Sequence, residues 1–230
     1  LFIIFDLDDT LIDTSACITP VKLERALTRM VQEGMVIEDF SEALNTLLQM
    51  DQLSHSARAA LEEFIEINGF DSRFLSFGLH EVYDKFSDDL PVFPVEEAID
   101  VLSRLSCEHK LAIVSVGNLD QQLWKLKKAG IDSSLFCKIH ILQERNKKEI
   151  YQSLIREMNV SPQEVIVCGD RIPIDLIPAK QLGCMTVHMK KGRGLYSSSI
   201  EQMHEVDFTI THLSQMQKVL LDISGKASFD

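Results

Sequence analysis

The chain has 230 residues, 45% of them hydrophobic and 25% charged, with a formal net charge of −12 and a pI near 5.0. That length allows one large domain or a core with a smaller second domain, and the apolar share is ordinary for a globular protein that buries a sizeable core. The acidic balance argues against a nucleic-acid backbone or an anionic membrane as partner, no apolar run reaches the ~18 residues of a membrane span, and five cysteines without CxxC spacing indicate neither a disulfide framework nor a zinc site.

The first element, FIIFDLDDTLI over residues 2–12, is an apolar and β-branched run that ends in Asp6, Asp8 and Asp9, with Thr10 behind. A strand of this composition is buried on both faces. Its carboxylates are then tolerated only where it emerges at its C-terminal edge, which is where open α/β sheets build active sites. Acids at i and i+2 of an extended backbone point to one side, and two anions that close ask for a cation between them.

From Asp13 to about Pro91 a helical period dominates, in VKLERALTRMVQEGM, FSEALNTLLQM and ARAALEEFIEINGF, with no clear strand. This block reads as a helical insertion over 14–91. The segment DDLPVFPVEEA closes it, and a helix is expected to start at Pro94. His55 is expected as a partly exposed helix-start residue, and Glu62-Glu63 and Asp88-Asp89 as solvated surface.

From Lys110 onward apolar strands alternate with helical patterns: LAIVSV, the helix LDQQLWKLKKAG, KIHIL, the helix EIYQSLIREM, VIVCG, the helix DLIPAKQLG and MTVHM. That alternation implies right-handed βαβ crossovers and a parallel sheet. Trp124 falls with Leu123 and Leu126 on a packing pattern. Residues 111–118, LAIVSVGN, give an apolar strand ending in the hydroxyl of Ser115, with the turn-prone Val116-Gly117-Asn118 behind it. VIVCG ends in Gly169 and is followed by Asp170, with Asp175 five residues on. Strand ends carrying acid, hydroxyl and acid converge on one polar site. Lys190-Lys191-Gly192-Arg193-Gly194 adds a basic loop at the same edge.

On Asp6-Leu7-Asp8-Asp9-Thr10, Ser115, and Gly169-Asp170 with Asp175, the sequence resembles the phosphatases of the haloacid dehalogenase superfamily, matching their first, second and fourth motifs. The resemblance implies a doubly wound, Rossmann-like parallel α/β core over 1–13 and 92–230, with a helical cap of the first type over 14–91. It implies that Asp6 is a nucleophile forming an aspartyl-phosphate and that Asp8 is the general acid and base. Mg²⁺ would be held by the Asp6 carboxylate, the Asp8 backbone carbonyl and Asp170, with Asp175 acting through water or as an orienter. Ser115 and the backbone N–H groups of Val116 and Gly117 would bind the substrate phosphate. Members that cleave carbon–halogen bonds lack the second Asp of the first motif, so Asp8 favours phosphoryl transfer.

A fixed cation is also required, and here the sequence departs from the commonest family form, a Lys-Pro pair six residues before an aromatic. Six residues before Tyr151 stand Arg145 and Asn146, whereas the four-residue spacing of other branches reaches Lys147, with Lys148 beside it. The expected order is Lys147, then Lys148, then Arg145. Arg171 is expected to pair with an acid or reach toward the substrate opening.

The reading is a cytoplasmic, Mg²⁺-dependent phosphatase, monomer or homodimer, acting on a small phosphorylated metabolite of the phosphoglycolate, nucleotide or sugar phosphate type. Its rivals are a phosphoglucomutase-like phosphoryl transferase and a non-catalytic phospho-binding module of the same fold. Receiver domains are shorter and carry their phospho-accepting Asp on a later strand.

Overall fold

The computed structural model describes residues 1–84, 87–196, 204 and 206–226. The chain divides into two compact units, Leu1–Asp13 with Phe93–Asp230, and Thr14–Val92. No helix among the described residues is long and apolar enough to cross a membrane.

The first unit is built on a parallel sheet of β1 (Phe2–Phe5), β2 (Lys110–Val116), β3 (Phe136–Leu142), β4 (Val165–Gly169), β5 (Met185–Met189) and β6 (Phe208–Ile210). Their order is β3-β2-β1-β4-β5-β6. Parallel neighbours cannot be joined by tight turns, and the connections carry α5 (Ala98–Glu108), α6 (Leu119–Lys128), α7 (Lys148–Met158) and α8 (Ile177–Lys180), with α9 (Met216–Lys226) after β6. The chain winds outward from β1 to β3 and then from β4 to β6. The C-terminal ends of β1 and β4 therefore flank the point where the winding reverses, the usual place for a ligand crevice in such sheets.

Burial follows from side-chain alternation. No residue of β1 is more than 1% exposed. Phe2 and Ile4 share one sheet face with Ala112, Val114, Val165 and Val167, and this face packs on Tyr151, Leu154 and Ile155 of α7 and on Leu176 and Ala179. Ile4 is level with Ala112 on one side and Val167 on the other.

Three local features differ from the sequence reading. The helix before β2 starts at Ala98 rather than Pro94, because Pro94 bridges to Ile12 and the Val95 N–H donates to the Leu11 carbonyl at 2.9 Å, and Glu97 then turns through a left-handed φ of 62°. The helix expected over DLIPAKQLG is one turn, α8, preceded by a wide helical turn at Ile172–Leu176 that starts beside Pro173. The third is an addition, since β6 has only three residues, too few to show an alternating pattern.

The second unit contains α1 (Thr14–Gln32), α2 (Phe40–Leu53), α3 (Ala57–Ile67) and α4 (Phe74–Leu79), the last continuing into a wider turn at His80–Asp84. α1 begins seven residues before the apolar period and accommodates Pro20, which removes one backbone donor from the helix. Asp39 and Ser56 cap α2 and α3 by accepting the N–H groups of Glu42 (3.0 Å) and Ala59 (3.2 Å). Leu23, Leu27, Met30, Leu47, Leu61 and Phe64 form a core belonging to this unit alone. His55 is exposed, as its sequence setting leads one to expect.

Candidate active site

The β1 ladder continues one residue beyond the strand, where the Asp6 N–H donates to the Cys168 carbonyl at 2.9 Å. Asp6 thus stands at the sheet edge beside β4, on the same alternation as Phe2 and Ile4, which is the α7 face. The backbone then turns sharply. The Leu7 carbonyl accepts from Leu11 (2.9 Å) and Ile12 (3.0 Å), and Asp9 adopts a left-handed φ of 57°. The turn sends the Asp6 and Asp8 carboxylates to different protein partners, Lys147 and Lys125.

Lys147 immediately precedes α7, and its side chain is 0% exposed. Its Nζ lies 2.6 Å from Asp6 Oδ1 and 2.6 Å from Asp175 Oδ1, and donates to the Val114 carbonyl at 2.8 Å. Three acceptors around one ammonium saturate its donors, which is what a fully buried lysine needs. Burial works against the charged form, yet the Asp175 and Asp6 carboxylates outweigh it and hold the ammonium above the ordinary lysine value. Lys148, one residue on, is exposed and bonds Gln181 Oε1 at 2.8 Å, and Arg145 is exposed. Of the three cations considered, the structure brings only Lys147 to Asp6.

Asp170 follows β4, and its carboxylate joins those of Asp6 and Asp175 in a cluster whose ligand atoms lie within 4.8 Å of one another. Asp175 is fully engaged: Oδ1 takes Lys147, and Oδ2 accepts the Arg171 N–H at 2.9 Å. By contrast, Asp6 Oδ2 and Asp170 Oδ1 are buried without a hydrogen-bond partner. Arg171 Nε stands 4.0 Å from Asp170 Oδ1, too far for a hydrogen bond. Burial, then the charges of Asp175 and Asp9, push the Asp170 carboxyl well above its ordinary range, and burial raises Asp6 despite Lys147. Two orphaned carboxylate oxygens in a buried anionic cluster fit a hard, oxygen-seeking cation.

The basic loop after β5 is packed against the same acids. Gly192 has a φ of 53°, and a Cβ there would lie 2.3 Å from Asp9 Oδ2. A Cβ at Gly194 would lie 2.2 Å from the Asp170 carbonyl oxygen. Both contacts admit only glycine. Lys191 pairs with Asp13 at 2.9 Å. His188 donates Nε2–H to the Asp170 carbonyl at 3.0 Å, and burial lowers its pKa.

Ser115, the last residue but one of β2, is 1% exposed. The Gly117 N–H, expected as a phosphate donor, instead donates to the Leu142 carbonyl at 2.8 Å, because β2–β3 pairing runs one residue further than the sequence suggests. The Val116 carbonyl accepts from Gln122 Nε2 at 3.1 Å.

Sequence reasoning missed Gln122 and Lys125. Lys125 Nζ lies 2.5 Å from Asp8 Oδ1, and Gln122 Nε2 donates to Asp8 Oδ2 at 2.9 Å while standing 3.2 Å from Ser115 Oγ. Leu126 packs as expected, but Leu123 is 40% exposed and half-buried Trp124 lies under Lys128, with Nζ 5.0 Å from the ring centroid. The available signal was the helical wheel: on α6 two polar residues, three apart, take the buried stripe.

Residues 3–189 match the family model for haloacid dehalogenase-like hydrolases. A glyceraldehyde 3-phosphate phosphatase of Pyrococcus furiosus is 30% identical, over 95% of this chain and 92% of its own length. The enzyme of the same name from Methanocaldococcus jannaschii is 26% identical over 96% and 97%. Among solved structures, a predicted phosphoglycolate phosphatase from Haemophilus somnus superimposes with a TM-score of 0.73, covering 95% of this chain and 97% of its own at 16% identity.

Proposed function

The chain belongs to the haloacid dehalogenase-like hydrolases and is a hydrolase of phosphate monoesters, and from that premise we propose that it releases phosphate from a small phosphorylated sugar through an aspartyl-phosphate on Asp6. The observation that carries this reading is the state of the Asp6 carboxylate. One oxygen is fixed by Lys147 and the other is unpartnered beside Asp170, at the sheet edge where a ligand enters.

In this mechanism the Asp6 carboxylate attacks phosphorus as the bond to the leaving oxygen breaks, and Asp8 delivers a proton to that oxygen. Water then attacks phosphorus, the Asp6 oxygen leaves, and Asp8 takes the proton from the water. Lys147 holds Asp6 in place and offsets negative charge at the site. Ser115 offers its hydroxyl to a phosphoryl oxygen. Mg²⁺, held by Asp6, Asp170 and the Asp8 carbonyl with Asp175 orienting Lys147, would neutralise phosphate charge.

The helical unit 14–92 is inserted at the point of the chain where the family carries a cap, and in this reading it selects the substrate. The two phosphatase relatives named for glyceraldehyde 3-phosphate make a three-carbon sugar phosphate the first substrate to test.

The experiment is phosphate release from p-nitrophenyl phosphate and a panel of sugar phosphates that includes glyceraldehyde 3-phosphate, with and without Mg²⁺, in wild type and Asp6→Asn. Metal-dependent release that vanishes in the variant is expected. Release that survives Asp6→Asn, or sugar-phosphate isomerisation faster than phosphate release, overturns the reading.

A further inference from the structure

α6 is built the wrong way round for an ordinary surface helix. Leu119 is 54% and Leu123 40% exposed, while Gln122 is 2% and Lys125 7% exposed. Burying a lysine and an amide while leaving two leucines in water is costly on every transfer scale. Such a local conflict persists where the buried polar groups have a task. Here both point at one carboxylate. Residues three apart lie on the same helix face, and this face delivers the Lys125 ammonium to Asp8 Oδ1 at 2.5 Å and the Gln122 amide to Asp8 Oδ2 at 2.9 Å.

The clamp is itself fixed. Gln122 Nε2 also reaches the Val116 carbonyl at 3.1 Å, and because that group and the Asp8 carboxylate are both acceptors, the amide orientation is determined. Gly117 leaves room for the amide: a Cβ there would stand 3.1 Å from Gln122 Nε2. The same nitrogen is 3.2 Å from Ser115 Oγ. One side chain thereby ties the Asp8 carboxylate to the end of β2.

We propose that Gln122 and Lys125 are positioning residues for Asp8, holding its carboxylate in the one orientation from which it exchanges protons with the reacting oxygens. The inference rests on the reading of Asp8 as acid and base given above. In the first half-reaction the Asp6–phosphorus bond forms, the phosphorus–leaving-oxygen bond breaks and the proton on Asp8 passes to the leaving oxygen. In the second, the water–phosphorus bond forms, the Asp6–phosphorus bond breaks and the water proton returns to Asp8. A carboxylate free to rotate loses the alignment that makes such transfers fast. The clamp supplies that alignment from a helix rather than from a loop.

Leaving-group dependence tests this. An alkoxide needs a proton as it departs, and p-nitrophenolate does not. kcat/KM is measured with Mg²⁺ for p-nitrophenyl phosphate and for an alkyl ester, glycerol 3-phosphate or whichever sugar phosphate wild type turns over best. The set comprises wild type, Lys125→Met, Lys125→Arg, Gln122→Leu, Asp8→Asn and the double variant Asp8→Asn with Lys125→Met. In Lys125→Met the loss on the alkyl ester is expected to exceed the loss on the aryl ester by roughly tenfold or more, within the range of acid–base catalysis. Lys125→Arg is expected to recover part of that difference, and Gln122→Leu to show a smaller one in the same sense. In the Asp8→Asn background Lys125→Met should add no further selective loss.

Equal losses on the two ester classes, or an undiminished selective loss when Asp8 is already Asn, overturn the positioning role while leaving the phosphatase reading intact. Wild type inactive on both classes overturns that reading and the inference with it.

Discussion

A lysine ammonium without solvent contact persists only when its partners repay the desolvation, and Lys147 has two carboxylates and a carbonyl to do so. Replacing it by Met leaves Asp6 and Asp175 as buried anions facing an apolar chain end. We expect Lys147→Met to lose about 3–5 kcal/mol of stability, the usual consequence of removing one member of a buried pair. Lys148→Met, one residue along on the surface, should stay within about 0.5 kcal/mol. Urea midpoints for the two variants check this, and equal midpoints would refute the role of Lys147 as the central cation. At this scale the strand-end acids were legible because a buried strand can carry Asp6 and Asp170 only at its edge. The cation was legible as a ranking, since spacing from Tyr151 put Lys147 first of three candidates, and the direction of the first turn of α7 is what separates it from its neighbours. Gln122 and Lys125 stayed hidden for the opposite reason. LDQQLWKLKK offers several wheels, and the one adopted buries the polar side.

Between elements, the sheet edge past β5 depends on one carboxylate. Asp207, the residue before β6, accepts the Thr186 N–H at 2.9 Å and the Thr186 hydroxyl at 3.0 Å, and pairs with Lys180 of α8 at 2.5 Å. Its own N–H returns to Thr186 Oγ1 at 3.0 Å. This reciprocal pair fixes where a strand too short to register itself joins the sheet, which explains why β6 escaped the sequence reading while Met185–Met189 did not. Burial alone would raise the Asp207 carboxyl, but the bonds from Lys180 and Thr186 prevail and hold it below its ordinary value of 3.8. A carboxyl depressed on folding makes the unfolded chain bind protons first as the pH falls. Its contribution is therefore present above pH 3.8 and is lost as the pH drops through the folded value. Asp207→Ala should cost about 1–3 kcal/mol at pH 7, the range for bonds to a charged group. The gap between wild type and variant in denaturant midpoint should hold from pH 7 to 5 and close only below about 3.8. A gap that widens on acidification would contradict the argument.

Across the whole molecule, the alternation of strands and helices after Lys110 foretold the parallel sheet, and the change of period after Asp13 foretold a helical unit. That unit proves to have a core of its own, because Leu23, Leu27, Leu61 and Phe64 find one another within it. What composition could not show is where a chain of net charge −12 concentrates its anions. Asp6, Asp8, Asp9, Asp170 and Asp175 all belong to one sheet edge, and Asp6 Oδ2 and Asp170 Oδ1 have no hydrogen-bond partner there. A ligand that binds the folded state and not the unfolded one stabilises it by mass action, by about 2.7 kcal/mol at a hundred times its Kd. Mg²⁺ should therefore raise the thermal unfolding midpoint of wild type in a concentration-dependent way. The same titration on Asp170→Asn separates a specific site from screening of the general negative charge. Screening would shift both proteins alike and would be matched by NaCl at equal ionic strength, whereas a site built on the orphaned oxygens leaves Asp170→Asn unresponsive at Mg²⁺ concentrations that saturate wild type. Parallel shifts in the two proteins would mean that the cluster holds its charge without a resident divalent cation.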